Sequence, residues 1–200
     1  MTDGVVVGAD GVARCRWGAG TPDYQRYHDT EWGRAVHGDA AVFERLTLEV
    51  FQSGLSWLTI LRKRESFRAA FDGFAIERVA AYGDTDRARL LADPAIVRNR
   101  AKVDAAIANA RAAAALRDAD GEGALDRLVW SFAPTGPRRS PRHPADVPAS
   151  TAESVALARA LKGSGFVFVG PTTMYAAMQA MGLVDDHLRG CDAAATGVAG

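Results

Sequence analysis

AIVRNRAKVDAAIANARAAAAL, residues 95–116, decides the fold class. Ile96, Val97, Val103, Ile107 and Ala110 recur at helical spacing, and Asp93-Pro94 ahead of them marks a turn. The segment therefore reads as a turn feeding a long helix, with Arg98, Arg100 and Lys102 grouped beside the turn at its start. The same periodicity continues outward in both directions. Toward the N-terminus, helical pieces fit residues 84–92 and 76–82, and Ser56 opens a helix through Trp57, Leu58, Ile60, Leu61, Phe67 and Phe71 to Gly73. Asp39 is expected to cap AAVFERLTLEVFQSG, whose apolar stripe runs through Val42, Phe43, Leu46 and Val50. Thr21 can cap and Pro22 suits the first position of a further helix that stops at Gly33. Toward the C-terminus, Ser150-Thr151-Ala152-Glu153 reads as a capping box for a helix ending at Lys162-Gly163, and Gly170-Pro171 opens the last long helix. The only strand-like run is Phe166 to Val169, which is short, so the expected class is all-α.

Residues 133–149 hold five of the eight prolines and are expected to be a loop. Residues 1–13 read as a loose N-terminal extension, 14–192 as the working domain and 193–200 as a flexible tail. At 200 residues and 48% apolar content, the chain can bury a sizeable core. Lys plus Arg and Asp plus Glu number 24 each, so any nucleic-acid partner must be gripped by a local basic patch rather than by net charge. No run approaches the roughly 20 apolar residues of a membrane span, and MTDGVVVGADGVAR lacks the basic start and apolar core of a signal peptide. A cytoplasmic location is expected, without a membrane partner.

The two cysteines stand at opposite ends, Cys15 and Cys191, too few for a disulfide scaffold and suited to a reducing compartment. With His28 and His187 they form two pairs of soft or borderline ligands. His187 and Cys191 lie four apart, which brings both to one side of a single turn. One reading is a closed Cys2His2 zinc site stapling the termini, with all four positions filled and hence a structural role. The other is two small buried hydrophobes with unrelated histidines. His37 and His143 have no such neighbours and are read as solvent-facing.

Aromatic residues make up only 8% of the chain, yet Trp17, Tyr24, Tyr27, Trp32, Phe43, Phe51 and Trp57 crowd into one early stretch. Glu49, three residues after Leu46 and seven after Val42, puts a carboxylate on the apolar stripe of its helix, which is costly without a partner. Core packing explains the rings, and a register wobble or an arginine partner explains the carboxylate. Together they also meet the needs of a pocket for a flat cation: ring faces for stacking and cation–π attraction, and a carboxylate for charge and N–H.

The strings RCRWG at 14–18, YHDTEWG at 27–33, LEVFQSGLSWLTILRKRESFRAAF at 48–71, IVRNRAKV at 96–103, VWSF at 129–132, KGSGFVFVGPTTMYAAMQAMGLVDDH at 162–187 and the closing Cys191 resemble the 3-methyladenine DNA glycosylase I family. The resemblance runs from about Arg14 to Cys191. It implies a helix-hairpin-helix glycosylase fold and one structural zinc ion held by Cys15, His28, His187 and Cys191. It implies a base pocket formed by Glu49, Tyr27 and Trp57 with Trp17 and Trp32, Glu49 carrying the catalytic consequence. It also implies a hairpin that grips the DNA backbone through Arg98, Arg100 and Lys102, helped by Arg62, Lys63 and Arg64. Two positions depart from the family pattern: Ala95-Ile96 stands where Gly-Ile is usual, and Phe51 where some members carry a polar residue at the pocket rim.

The implied activity is excision of 3-methyladenine from alkylated double-stranded DNA, releasing the free base and leaving an abasic site without strand cleavage. The expected working unit is a monomer. Two other classes stay open on sequence: a zinc-stapled damage sensor without catalysis, and a small-molecule zinc hydrolase, which would need a ligand missing from the tetrahedron.

Overall fold

The computed structural model describes residues 4–136 and 140–196. Nine helices carry it: α1 Pro22–Thr30, α2 Asp39–Gln52, α3 Trp57–Ala70, α4 Ile76–Ala80, α5 Asp84–Ala92, α6 Arg100–Asp120, α7 Ala124–Trp130, α8 Ala152–Gly163 and α9 Pro171–Ala180, counted among the described residues. The long helix anticipated after Asp93-Pro94 is α6, its first turn capped by the Asn99 side chain accepting from the Lys102 N–H. Helix α2 forms the axis. Val42, Phe43, Leu46, Thr47, Leu48, Glu49, Val50 and Phe51 are all buried on it, because α3, α6, α7 and α9 pack around it. A helix enclosed on most sides can hide one carboxylate only where a cavity reaches it.

Several expectations change. The chain is mostly helical rather than purely α, since β1 Val5–Val7 pairs antiparallel with β2 Ala13–Cys15. Residues 4–13 are thus a hairpin rather than loose, pinned by Arg14, whose buried guanidinium holds Asp10 at 2.7 Å and Asp29 at 2.8 Å. The sequence hides this because each strand is three residues long and needs its partner to exist. Phe166–Val169 is not a strand. Phe168 sits at φ 59°, and the Asn109 amide brackets Val167 from both sides. Residues 193–196, expected in a flexible tail, belong to a 3₁₀ turn over Asp192–Thr196; 197–200 lie outside the described residues.

Asp39 does not cap its own helix, where Gly38 holds the cap position; its carboxylate accepts from the N–H groups of Gly123 and Asp126, at 3.1 and 2.9 Å, and so caps α7. Helix α7 itself, short and without a side-chain cap of its own, was not anticipated. The capping box of α8 is Thr151 with Ser154, one register later than Ser150 with Glu153.

Candidate functional site: an aromatic cage beside a Cys/His cluster

Helix α1 lies across the start of α3, and Tyr24 fixes the contact by accepting the Leu58 N–H at 3.1 Å with its hydroxyl. This brings Tyr27 against Trp57, ring centroids 5.2 Å apart, while Trp17 meets Tyr24 edge-on at 5.8 Å and Trp32 at 4.9 Å. The rings wall a cavity of about 610 Å³ whose lining includes Trp17, Tyr24, Tyr27, Trp32, Trp57, Glu49 and Gln52. All five residues expected at a base pocket are therefore brought to one cavity. Tyr24, one of the crowded rings, lines it as well; Gln52 was missed, although it sits three positions from Glu49 on the same helix, a spacing that shares a face.

Glu49 is 5% exposed, and no hydrogen bond or ion pair to its carboxylate is seen among the described residues. Burial pushes its pKa up to about 8, and the positive charge of Arg45 one turn earlier only partly offsets that. Burial, and then the Glu49 charge, also raise the Tyr27 hydroxyl. The cavity floor thus presents an acceptor without a protein partner, framed by ring faces. Behind it Arg45 and Arg64 converge on Glu31, at 3.1 and 2.5 Å, which locks α2, α3 and the end of α1 together.

On the other side of Trp17 and Trp32 lie the expected metal ligands. The donor atoms of Cys15, His28 and Cys191 are all within 4.8 Å of one another and buried. His28 Nδ1 is held by Asp29 at 2.8 Å, which turns Nε2 toward Cys191 Sγ at 3.5 Å. His187 stands outside that trio but is arranged the same way: Nδ1 to Asp185 at 2.6 Å, Nε2 turned inward toward the His28 carbonyl at 3.4 Å, its ring 4.8 Å from that of His28. A carboxylate on one ring nitrogen with the other facing a thiol, as at His28, is the usual outer arrangement of metal-bound histidine, so Cys15, His28 and Cys191 could hold a metal ion. Gly18 and Gly33 permit the close approach. A Cβ at Gly18 would meet the His28 ring at 2.5 Å, and one at Gly33, where φ is +75°, would meet the His187 ring at 2.9 Å. The site also backs the cage, since Trp17 rests 5.2 Å from His28 and Trp32 4.6 Å from His187, centroid to centroid.

The basic residues divide. Arg98 is exposed in the turn before α6 and Arg100 at its first position. Lys102, expected beside them on DNA, is instead 7% exposed, and its Nζ donates to the carbonyls of Phe51 at 2.9 Å and Ser53 at 2.5 Å, closing the C-terminal end of α2. Its burial lowers its pKa. The run 62–64 is engaged by the chain itself too: Arg62, though exposed, pairs with Asp23, Arg64 with Glu31, and Lys63 donates to the Pro94 and Ala95 carbonyls. The sequence shows charge but not which carbonyls stand unpaired nearby. Lys102→Met should cost about 1–3 kcal/mol through the orphaned carbonyls, lowering the thermal midpoint by several degrees. An unchanged midpoint would contradict that role. Ala95 is absent from the residues at positive φ, so alanine fits where glycine is usual. Phe51 lies at 0% exposure against Phe67 and Phe71, away from the cavity rim. His37, read as solvent-facing, is exposed and stacks on Trp130 at 4.4 Å.

The family model for methyladenine glycosylase matches residues 17–195. DNA-3-methyladenine glycosylase 1 of Escherichia coli K12 is 45% identical over 181 residues, 90% of this chain and 96% of that protein. A crystal structure of 3-methyladenine DNA glycosylase I superposes with a TM-score of 0.84 at 46% identity, covering 90% of this chain and 98% of the other. A second, a variant of 3-methyladenine DNA glycosylase I in complex with 3-methyladenine, superposes at 0.83 with 34% identity, over 90% and 96% of the two chains. With the family model matched over residues 17–195 and 45% identity over 90% of its length, the chain belongs to the methyladenine glycosylase family.

Proposed function

We propose that the cavity is the base pocket of a DNA base-excision repair glycosylase that hydrolyses the N-glycosidic bond of 3-methyladenine in alkylated double-stranded DNA. The observation that carries this is Glu49: a buried carboxylate without a protein partner, facing an aromatic cage. Adenine methylated at N3 is flat, cationic while attached to the sugar, and bears N–H donors, so it supplies what Glu49 lacks. The damaged nucleotide leaves the stack at a cost of a few kcal/mol. Tyr27 and Trp57 then take the ring faces, Trp17 and Trp32 shape the walls, and Glu49 accepts N–H and balances the charge. The cationic base departs readily, water attacks C1′, and free 3-methyladenine and an abasic site result.

Strand cleavage would need an amine nucleophile. The chain has three lysines; Lys63 and Lys102 hold backbone carbonyls, Lys162 is exposed on α8, and none lines the cavity, which favours a monofunctional enzyme. The turn between α5 and α6 suits the hairpin of a helix-hairpin-helix fold, with Arg98 and Arg100 on phosphates and the α6 N-terminus aimed alongside them. Cys15, His28, His187 and Cys191 would hold one zinc ion, which when bound supplies cross-linking rather than chemistry. We read the working unit as a monomer. No helix of the described residues is long and apolar enough to cross a membrane. We place the enzyme in the cytoplasm, where bacterial DNA resides.

Three of the four tryptophans line the cavity, so their fluorescence reports occupancy. Titration with free 3-methyladenine should quench it saturably, adenine should do so far less, and Trp57→Ala should weaken the response about tenfold or more, from lost stacking. Equal responses to both bases would count against the pocket assignment.

A further inference from the structure

The cavity holds a second carboxylate that the base-recognition account does not use. Asp186 follows α9, and its cavity wall includes Ala176 and Gln179 of that helix, whereas Glu49 comes from α2. Glu49 lies at the buried floor, while Asp186 is only partly buried. Two neutral donors fix it: the Tyr175 hydroxyl at 2.6 Å and the Gln179 amide at 2.7 Å. Both fall on Oδ2, which leaves Oδ1 as an acceptor, and no arginine, lysine or histidine pairs with Asp186 in the ion pairs seen among the described residues. Neutral donors immobilise a carboxylate without cancelling its charge. That charge stands in a partly enclosed apolar cavity, where it acts at greater strength than in water.

A base seated against Glu49 puts its sugar one bond nearer the mouth of the cavity that Asp186 also lines. We propose that Asp186 is a further catalytic residue of this pocket: its fixed, ionised carboxylate faces the deoxyribose, stabilises positive charge developing at C1′ and orients the attacking water through Oδ1. The C1′–N9 bond breaks and its electron pair passes to N9, which neutralises the methylated ring. The water oxygen bonds to C1′ and its proton leaves to solvent. Asp186 stays ionised throughout, so its contribution is electrostatic preorganisation, present before the bond breaks and strongest when the sugar is cationic. Tyr175 and Gln179 are positioning residues that act through it.

This inference rests on the cavity being the base pocket, and the test separates the two. Asp186→Asn keeps size and one acceptor but removes the charge. Single-turnover release of 3-methyladenine from methylated DNA should fall by about 30- to 100-fold, while affinity for free 3-methyladenine by tryptophan quenching, zinc content and thermal midpoint stay within twofold or a few degrees of the parent. A rate within twofold of the parent would overturn the proposal. So would a parallel loss of rate and free-base affinity, which marks a wall residue of the cage. Should the substitution disturb the neighbouring His187 and lower zinc content, Tyr175→Phe decides instead: it frees one lock on Oδ2 and should slow release several-fold at unchanged free-base affinity, whereas an unchanged rate overturns the proposal. Failure of the parent to release base would sink the pocket assignment itself, a different result from an active parent with an equally active variant.

Discussion

Glu49→Gln is expected to slow release of 3-methyladenine by roughly 10²- to 10³-fold, because a cationic base seated beside Glu49 favours its ionised form and glutamine cannot supply that charge. Glutamine retains the size and an acceptor oxygen, so the loss measures charge rather than shape. The same change should stabilise the fold. The folded-state pKa of Glu49 is about 8 against an ordinary 4.5, so between those values the folded protein keeps a proton that the unfolded chain has released. Stability contributed by this position therefore falls as pH rises from about 4.5 through 8, and the burial penalty is complete above 8. Glutamine escapes it, and the thermal midpoint of Glu49→Gln should exceed that of the parent by several degrees at pH 8 while matching it near pH 5. Calorimetry at the two pH values beside a base-release assay reads both effects. A variant less stable than the parent at pH 8 would mean that Glu49 has a partner in the fold, and recognition by an unpaired carboxylate would be lost with it.

With zinc held at the proposed Cys15, His28, His187 and Cys191 site, its removal should be the largest perturbation of stability. Cys15 and Cys191 lie near opposite ends of the chain, and a staple closing a loop of that length contributes about 4–5 kcal/mol on the loop-entropy account. The thermal midpoint should fall by roughly 10–20 °C on chelation or in Cys15→Ser, with far-UV helicity at low temperature largely kept, because the main core around α2 is separate from the small cluster of Cys15, Leu188 and Cys191. Base release should fall as well, since Trp17 and Trp32 lean on the His28 and His187 rings. Metal content below one-tenth of an equivalent with midpoint and activity unchanged would refute the staple. Loss of activity with the midpoint unchanged would instead revive the zinc hydrolase.

The long helices were legible because their signals are local. The apolar period through Val103, Ile107 and Ala110, and the Ser56 cap before Trp57, need only a few neighbouring residues to act. The pocket residues Glu49, Tyr27 and Trp57 were also legible, one because a carboxylate stood on an apolar stripe, the others because rare rings were crowded together. What escaped depends on partners distant in sequence. Asp39 caps a helix more than eighty residues away, Lys102 turns inward to the end of α2, and the Val5–Val7 strand exists only against Ala13–Cys15. Asp186 carries no sequence signal of its own, because its place in the cavity is set by how α9 packs on α2. An alanine where the hairpin usually has glycine favours a damage sensor without catalysis, and that argument weakens because Ala95 lies away from positive φ, with Lys63 closing on its carbonyl.

Everything proposed for the cavity depends on the cage around Glu49 excising a methylated base. That excision is tested most directly by incubating purified, zinc-loaded protein with methylated duplex DNA, identifying the released bases by chromatography and examining the strand before and after alkali. The released base should be 3-methyladenine, with intact strands before alkali and breaks at abasic sites after it. Folded, zinc-loaded protein that binds the DNA but releases no base would contradict it.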